Sequence, residues 1–432
     1  MTKRNPLSRS GQDKLEPALP SAKAEATRCL FCFDAPCKAD CPAGIDVPGF
    51  IRRIMQDNVQ GAYRLIRDEN PLSWVCSVLC PTEKLCASRC PRRLKDRSID
   101  IGGLQAHACR ENRPRVSPAK EGGNGRGPVA VVGAGPAGLT VAWYLLEQGF
   151  SIDLYEAEEQ PGGLVIYGIR PDKMDKGRAV REIAGLLRHP GISAHWKARI
   201  EDPRSLLKSH SAVYVATGLG KEWLDESAAR LRGVWPATAF LREVNTAFVK
   251  GRSFKKDLGE SVLVIGGGNT AIDAAITARL AGASNVTIIY RRTEREMPVR
   301  RHEFETALLH GIHIRFLLEP VSFRGKAGKI DKVLFRPTGL GRPGRDGRRR
   351  VIPGRGPNVS IPASTVILAT GREREKPEWA RDEKIDPFTG RVEKSRIWIG
   401  GELRQGAGLV VEAVSDGKRA AREIIKALGE KR

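Results

Sequence analysis

Residues 129 to 138 read Val-Ala-Val-Val-Gly-Ala-Gly-Pro-Ala-Gly, and this stretch decides the fold of the chain. Apolar residues of strand length lead into a glycine-rich turn, and an uncharged helical pattern continues to Leu146. The first glycine permits a tight turn, the second lets the backbone approach a pyrophosphate, and the third allows close helix–strand packing. The stretch predicts the opening of a dinucleotide-binding unit. Its predicted contacts are Gly133, Gly135, Pro136, Ala137 and Gly138.

The next strand, Ser151 to Tyr155, ends at Glu156. A carboxylate in this place accepts hydrogen bonds from ribose hydroxyls, which favours FAD or NAD over a phosphorylated ribose. The alternative interpretation is an exposed acid at the end of a strand. Gly162 and Gly163 follow closely, as expected where the backbone passes near a cofactor.

A second predicted strand, Val262 to Ile265, is followed by Gly-Gly-Gly-Asn-Thr-Ala. This segment repeats the strand–turn–helix motif, with alanine in place of the third glycine. Here the following strand, Asn285 to Tyr290, ends in two arginines rather than an acid. Guanidinium groups grip a phosphate bidentately, so this unit is predicted to prefer NADPH to NADH. Two surface arginines in a basic protein are the alternative. The predicted NADPH contacts are Gly266, Gly268, Asn269, Thr270, Ala271, Arg291 and Arg292.

Eight of the nine cysteines lie between Cys29 and Cys90. They form two groups with short spacings, and several thiolates can therefore converge on one centre at little loop-closure cost. Soft thiolates suit iron–sulfur clusters, and the Cys-Pro ending of the first group is typical of ferredoxins. Two four-cysteine zinc sites are the alternative. Cys109 lies outside both groups and is interpreted as a structural thiol.

The composition describes an ordinary globular protein of 432 residues, with 41% hydrophobic and 28% charged residues. The first 28 residues hold no apolar segment, and clustered cysteines without a secretory signal suggest a cytoplasmic protein. The net charge of +23 raises the possibility of nucleic-acid binding, but the charge is scattered. No aromatic residue interleaves with the arginines between Arg342 and Arg355, so this stretch is interpreted as a solvated loop.

Over nearly all its length the chain resembles one family: the small subunit of bacterial glutamate synthase and the N-terminal electron-input part of dihydropyrimidine dehydrogenase. Cys76, Gln105 and Val411-Glu-Ala-Val-Ser-Asp-Gly417 resemble the dihydropyrimidine dehydrogenase branch. The segments that carry the family resemblance are Glu25-Ala-Thr-Arg-Cys-Leu-Phe-Cys32, residues 70–90, Ile101-Gly-Gly-Leu-Gln105, both glycine loops, Tyr290-Arg-Arg292 and Met297-Pro298.

The resemblance implies an α/β protein with two Rossmann-like, glutathione-reductase-like domains for FAD and NADPH, preceded by an α-helical domain with two 4Fe-4S clusters. It implies one cluster on Cys29, Cys32, Cys37 and Cys90. The other cluster is implied on Cys41, Cys80, Cys86 and the amide oxygen of Gln105, although spacing alone would choose Cys76. The family carries Gly-Gly-Asp at its C-terminal flavin contact, where this chain has Gly400-Gly401-Glu402. The further predicted flavin contacts are Leu164, Thr217, Gly218, Gly401 and Glu402.

These elements predict five segments: a cluster domain at 1–113, a linker at 114–128, an FAD domain at 129–255 and 371–432, and an NADPH domain at 256–370. The resemblance implies hydride transfer from NADPH to FAD and electron flow through the clusters, with cofactors rather than side chains carrying the chemistry. The chain has no room for a terminal substrate site. We therefore expect a larger catalytic partner, of the dihydropyrimidine dehydrogenase type with an FMN-containing barrel, and neither nucleic acid nor membrane.

The sequence leaves two alternative functions open. One is the small subunit of NADPH glutamate synthase, which would use the same cofactors with another partner. The other is a zinc-bearing nucleic-acid-binding regulator with an NADPH-sensing domain, which the charge and the cysteines would suit.

Overall fold

The computed structural model describes residues 21–110, 127–220, 226–344, 346–371 and 376–429. Most of the predicted linker at 114–128 and of the N-terminal tail lies outside the described residues. The chain divides into two compact units. Among the described residues, we call 167–173 and those of 221–373 the inserted unit, and those of 12–166, 174–220 and 374–432 the framing unit.

Fifteen helices and fourteen strands are found in the described ranges, numbered here in chain order. The helices are α1 (Ala22–Thr27), α2 (Pro36–Ala39), α3 (Val47–Met55), α4 (Val59–Glu69), α5 (Ser73–Leu79), α6 (Ile101–Cys109), α7 (Pro136–Glu147), α8 (Leu164–Tyr167), α9 (Lys176–Leu186), α10 (Glu226–Ala229), α11 (Ala237–Val249), α12 (Asn269–Leu280), α13 (Arg301–Leu309), α14 (Glu402–Gln405) and α15 (Val410–Gly429). The strands are β1 (Val129–Val132), β2 (Ile152–Tyr155), β3 (Ile192–His195), β4 (Ala212–Val215), β5 (Val234–Pro236), β6 (Ser261–Ile265), β7 (Asn285–Tyr290), β8 (His313–Phe316), β9 (Leu318–Lys326), β10 (Lys329–Pro343), β11 (Arg349–Pro353), β12 (Val359–Pro362), β13 (Thr365–Leu368) and β14 (Ile397–Ile399).

The framing unit begins with the helices α1 to α6. Asp46, Asn58 and Asp100 accept backbone N–H groups at the starts of α3, α4 and α6, which satisfies donors that a helix end leaves unpaired. The helices pack through apolar residues, since Phe50 of α3 and Ile66 of α4 have no exposed surface. This part of the chain is a small helical domain, as predicted.

A parallel sheet with the strand order β14-β4-β1-β2-β3 forms the rest of the framing unit. The last strand, β14, pairs with β4 and so completes the sheet that begins with β1. The carboxyl ends of parallel strands share one edge, which is where open α/β sheets bind ligands. Residues that follow β1, β2, β4 and β14 are therefore collected at that edge.

The inserted unit repeats this architecture in a second parallel sheet, ordered β5-β13-β6-β7-β8. The strand β5 pairs with β13, and the helix α11 packs in the same core through Phe240. These two elements precede residue 256, the predicted start of the NADPH domain, yet they belong to the second sheet. The predicted domain limits remain a prediction, and the strand pairing favours an earlier start.

An antiparallel sheet of β9, β10, β11 and β12 extends the inserted unit. Within it, β10 and β11 form a hairpin in which Leu340 pairs with Val351. Residues 342–343 and 349–353 of the arginine-rich stretch therefore lie in paired strands, and the interpretation as a solvated loop was wrong for these residues. Alternation along β11 leaves Arg349 and Val351 half-buried and Arg350 exposed, because successive side chains point to opposite faces.

No helix in the described ranges combines the length and apolar character needed to cross a membrane. The uncharged stretch from Val129 to Leu146 forms β1, the glycine turn and α7, as the glycines predicted.

Candidate functional site

The first glycine loop joins β1 to α7. Two of its glycines leave no room for a side chain, whereas a third faces open space. Gly133 has φ +102°, and a Cβ there would overlap the carbonyl oxygen of Ala216. A Cβ on Gly138 would overlap the carbonyl oxygen of Gly133, which shows how closely the helix packs on the turn. At Gly135 a Cβ would meet nothing within 4 Å. The loop therefore presents open backbone at the start of α7, as a pyrophosphate site requires.

Glu156 lies beside this loop at the end of β2. Its Oε2 accepts the N–H of Ala134 at 2.8 Å and its Oε1 accepts the N–H of Glu158 at 2.9 Å. Each carboxylate oxygen has a second lone pair, so this fixed group can still accept a ribose hydroxyl. The arrangement fits the adenosine ribose of FAD.

A second turn closes over the first. Gly162 donates its N–H to the carbonyl of Ala134 at 2.8 Å, and a Cβ on Gly163 would lie 3.1 Å from the Cα of Gly135. Both glycines have positive φ, and Leu164 follows them with 36% of its surface exposed. The structure thus brings the predicted residues 162–164 to the edge that holds the glycine loop.

Two further turns follow β4 and β14 at the same edge. Thr217 and Gly218 lie after β4, and the Oε2 of Glu402 would lie 4.0 Å from a Cβ on Gly218. The longer Glu402 side chain, which replaces the aspartate of the family, reaches this turn. All predicted flavin contacts are therefore placed at one edge of one sheet.

Asp416 supports this edge of the sheet, and the sequence did not single it out. It is 2% exposed, and its Oδ2 accepts the N–H of Gly401 at 2.5 Å. Burial alone would raise the pKa of Asp416, but hydrogen bonds from Arg419 and Arg404 hold this pKa below its ordinary value. Asp416 therefore stays ionised and fixes the turn that carries Glu402. The signal in the sequence was the segment 411–417, which resembles the dihydropyrimidine dehydrogenase branch and contains Asp416.

The second glycine loop, between β6 and α12, repeats the geometry of the first. Gly266 has φ +144°, and a Cβ there would overlap the carbonyl oxygen of Ala369. A Cβ on Gly268 would meet nothing within 4 Å. Asn269 and Thr270 begin α12, and Ala271 is fully buried in the position of the third glycine. The loop fits a second dinucleotide pyrophosphate.

The two arginines after β7 differ in their surroundings. The side chain of Arg291 is 53% exposed, with its Nη1 3.9 Å from the Oε1 of Glu319. Arg292 instead donates from Nε to the backbone carbonyl of Arg349 at 2.8 Å. Both arginines lie where the adenosine ribose of the second dinucleotide would be expected. The hydrogen bond to Arg349 holds the guanidinium of Arg292 in a fixed direction.

Four cysteines from both sequence groups line one cavity in the helical domain: Cys29, Cys32, Cys37 and Cys90. Burial, together with the nearby thiols of Cys29 and Cys90, raises the pKa of Cys37 to about 11. The cavity wall is completed by apolar residues of α3 and α6, including Ile51 and Ile101. This is the set that the resemblance implies for one cluster, and spacing alone would not have joined Cys90 to the first group.

The second cysteine set is also drawn together. Burial raises the pKa of Cys86, with Cys80 and Cys41 as the neighbouring thiols that raise it further. Cys76 is buried beside Cys80. The Nε2 of Gln105 donates to the carbonyl of Ser73 at 2.6 Å, which holds its side chain against α5. The assignment of Gln105 rather than Cys76 as a ligand stays a prediction.

In the described part of the chain, no three His, Cys, Asp or Glu side chains are grouped so that they could hold a single metal ion. The donor set of the cavity is all-thiol, which is the chemistry that iron–sulfur clusters require.

Glu182 on α9 is a second residue that the sequence did not reveal. Its carboxylate accepts the N–H groups of Trp74 and Val75, at 2.7 and 3.0 Å, at the start of α5. Burial raises the pKa of Glu182, although these hydrogen bonds oppose the shift. The sequence indicates the burial of Glu182 only weakly: this residue shares a helical face with Ala179, Ile183 and Leu186, which are buried.

Comparison with known proteins now places the chain. A family profile described as pyridine nucleotide-disulphide oxidoreductase matches residues 127–417. A profile described as dihydropyrimidine dehydrogenase domain II, 4Fe-4S cluster, matches residues 12–115. The chain belongs to the pyridine nucleotide-disulphide oxidoreductase family.

Two curated members of this family align along almost the whole chain. The NAD-dependent dihydropyrimidine dehydrogenase subunit PreT of Escherichia coli (strain K12) is 32% identical over 428 residues, covering 95% of this chain and 96% of that protein. The NADPH glutamate synthase small chain of the same organism is 30% identical over 435 residues, covering 93% and 90%. The predicted family resemblance is confirmed.

A solved structure supports the fold of this oxidoreductase family. FprA from Mycobacterium tuberculosis, in complex with NADPH, superposes with a TM-score of 0.57 and 19% identity, covering 70% of this chain and 85% of that chain. The predicted fold class is confirmed: two Rossmann-like domains follow a helical 4Fe-4S domain. The chain is an FAD-dependent, NAD(P)H-linked oxidoreductase with an iron–sulfur domain.

Proposed function

We propose that the chain is an electron-input subunit that oxidises NADPH, passes a hydride to FAD and sends electrons through two 4Fe-4S clusters to a larger catalytic partner. The observation that carries this proposal is the combination, in one chain, of two open glycine loops with two sets of converging cysteines. The chain's own residues bind and orient, whereas the bound cofactors would supply hydride and one-electron transfer.

The framing unit supports the flavin part of the proposal. Glu156 is fixed to accept ribose hydroxyls, and open backbone at Gly135 faces the start of α7, whose positive end favours a pyrophosphate. Asp416 holds the turn from which Glu402 reaches towards Gly218. These residues position a flavin nucleotide without a side chain acting as acid, base or nucleophile.

Two separate cysteine sets support two clusters. One set lines the cavity with Cys29, Cys32, Cys37 and Cys90, and in the other the thiols of Cys41 and Cys80 lie near Cys86. Elemental analysis tests this directly. We expect about eight iron atoms per chain, and Cys37→Ala and Cys86→Ala should each remove about half of them. Loss of all iron from both variants, without unfolding, would contradict two independent clusters.

The preference for NADPH rests on Arg291 and Arg292 in place of a ribose-binding acid. The relative PreT is named as NAD-dependent, so this preference is the part of the proposal that most needs a test. The kcat/KM values for NADPH and NADH should differ at least tenfold in favour of NADPH, since a charge-assisted contact to a phosphate contributes roughly 1.5–3 kcal/mol. Equal values would refute the preference.

A surface next to the first cysteine cavity supports the idea of a partner. Leu30, Phe33 and Leu94 are large apolar side chains exposed by 43%, 107% and 78%, and they lie on the segments that carry the predicted ligands Cys29, Cys32 and Cys90. Arg93 and Lys95 are exposed on the same segment. A partner with an apolar centre and an acidic rim would match this surface and come close to the cluster.

The partner proposed is a dihydropyrimidine dehydrogenase-type catalytic subunit, because Cys76, Gln105 and residues 411–417 resemble that branch. The glutamate synthase large subunit is the second candidate, favoured by the 30% identity to the small chain. Co-purification of the untagged neighbour decides between them. The purified chain alone should reduce an artificial one-electron acceptor with NADPH but should not turn over uracil, or glutamine with 2-oxoglutarate. Unaided turnover of either substrate would refute the need for a partner.

A further inference from the structure

The arginine-rich hairpin of β10 and β11 is the sequence feature that the proposed function leaves unexplained. Its strand β11 begins at Arg349, whose backbone carbonyl accepts the Nε–H of Arg292 at 2.8 Å. The hairpin also contacts the neighbouring arginine, because Thr338 on β10 donates its hydroxyl to the carbonyl of Arg291 at 2.9 Å. The hairpin therefore supports the turn where the predicted 2′-phosphate site lies.

The hairpin is itself anchored to that turn by a buried acid. The Nε of Arg349 donates to the Oε1 of Glu296 at 2.6 Å, and the side chain of Glu296 is only 5% exposed. The same carboxylate closes a capping box with Thr293, the residue after Arg292. Glu296 thus ties together the end of β7 and the start of β11.

We propose that Arg349 is a positioning residue for cofactor selection: the Glu296–Arg349 ion pair holds the hairpin so that its backbone fixes the Arg292 guanidinium for a 2′-phosphate. The inference rests on the proposed NADPH preference. A guanidinium held at Nε keeps its two Nη groups outside that bond, and these form the planar fork that grips phosphate bidentately. Fixing a long side chain before binding removes part of the entropy cost of ordering it.

Charge balance supports the same arrangement. Arg349 would add a second positive charge close to Arg292, and Glu296 neutralises it within hydrogen-bonding distance. The preceding arginine is also paired, since Arg348 donates to Asp346 at 2.8 Å, whereas Arg350 is exposed to solvent. Of the two arginines in the turn, Arg292 is therefore the one whose guanidinium is held in a fixed direction, whereas the side chain of Arg291 is mostly exposed.

The test compares Arg349→Ala with Arg350→Ala, the next residue of the same strand, whose side chain is exposed. We expect Arg349→Ala to raise the KM for NADPH roughly three- to tenfold, because that factor corresponds to the free-energy cost of immobilising one side chain on binding. The kcat and the KM for NADH should be unchanged. Arg350→Ala should match the wild type. Arg349→Lys, which keeps the ion pair, should restore most of the affinity.

Binding to the protein without turnover provides a second readout. Calorimetry with adenosine 2′,5′-bisphosphate should show weaker binding to Arg349→Ala, whereas adenosine 5′-monophosphate should bind both proteins alike. Equal affinity of Arg349→Ala and Arg350→Ala for the bisphosphate would overturn the inference.

Arg292→Ala distinguishes a failure of the proposed NADPH site from a failure of the proposed role of Arg349. If this variant keeps the NADPH preference, the proposed cofactor site fails and the inference fails with it. If it loses the preference and Arg349→Ala keeps it, only the role of the hairpin is refuted.

Discussion

The two glycine loops are built alike, yet they end in opposite charges. In both, the first glycine packs against the carbonyl that ends a neighbouring strand, Ala216 in one and Ala369 in the other. In both, the middle glycine faces open space. The difference lies one strand further on, where the first loop has Glu156 and the second has Arg291 and Arg292. Both loops fit a pyrophosphate, and we propose that the residues after the next strand select the nucleotide.

The selecting residues are also held in different ways. Glu156 is fixed locally, by the N–H of Ala134 within the loop that it serves. Arg292 is fixed by a hairpin more than fifty residues away along the chain. The short local contact could be anticipated from the motif, and the distant one could not.

The largest effect is expected at the third small residue, where the loops differ by one methyl group. Gly138→Ala would push a Cβ into the carbonyl of Gly133, so the turn must open, and we expect the purified protein to lose most of its flavin. Flavin content by absorbance after gel filtration checks this.

Ala271→Gly is the matched control in the second loop. It removes a Cβ that this loop already accommodates, and should cost only about 0.5–1 kcal/mol of helix stability while NADPH still binds. Full flavin retention in Gly138→Ala would show that the two loops are not packed differently.

The next effect concerns the charges that distinguish the sites. Arg291→Ala combined with Arg292→Ala should lower kcat/KM for NADPH about 10- to 100-fold and leave NADH nearly unchanged, because the lost contacts are charge-assisted bonds to the extra phosphate. Steady-state kinetics with both cofactors measures it. An unchanged ratio between the two cofactors would mean that these arginines are only surface charges.

A third helix start sharpens the comparison. The helices α7 and α12 begin with open backbone, whereas the N–H groups at the start of α5 are already taken by Glu182. Glu182→Ala should lower the free energy of unfolding by about 2–4 kcal/mol, since it leaves buried donors unpaired. Denaturant unfolding measures this change.

Glu201→Ala is the control, because this carboxylate is exposed, and Glu182→Gln should fall between the two variants. Equal stability of Glu182→Ala and Glu201→Ala would argue that the buried acid does not hold α5.

The smallest effect is a pH dependence of the hairpin anchor. The hydrogen bond from Arg349 lowers the pKa of Glu296 to about 2, against about 4.3 in an unfolded chain. The stability that this pair contributes is therefore fully present above the unfolded value and is lost as the pH falls through about 2. The difference in unfolding free energy between the wild type and Glu296→Gln should stay constant from pH 8 to about 5.5. A difference that declines within that range would contradict an anchored, ionised Glu296.

The sequence predicted the features that depend on contiguous residues. The strand, turn and helix at both loops, Glu156 and the arginines after β7 all follow from local spacing, and the structure places them as expected. The grouping of Cys90 with Cys29 came from the family resemblance, because spacing assigns Cys90 to the second group.

Contacts between distant segments were not predictable. The pairing of β5 with β13, the carboxylate of Glu182 at α5, and the anchoring of Arg349 by Glu296 each join residues with no pattern in common. Part of the arginine-rich stretch was wrongly predicted to be a loop for the same reason: its charge suggested solvent, whereas β11 pairs with β10 and Arg349 contacts the buried Glu296.

The most direct test of the central claim is anaerobic titration of the purified chain with NADPH, followed by optical absorbance and electron paramagnetic resonance. The account predicts a brown protein whose flavin and iron–sulfur absorbance both bleach, with signals of reduced 4Fe-4S clusters appearing as NADPH is added. Reduction of the flavin with no cluster signal, or a colourless zinc-containing protein, would contradict it.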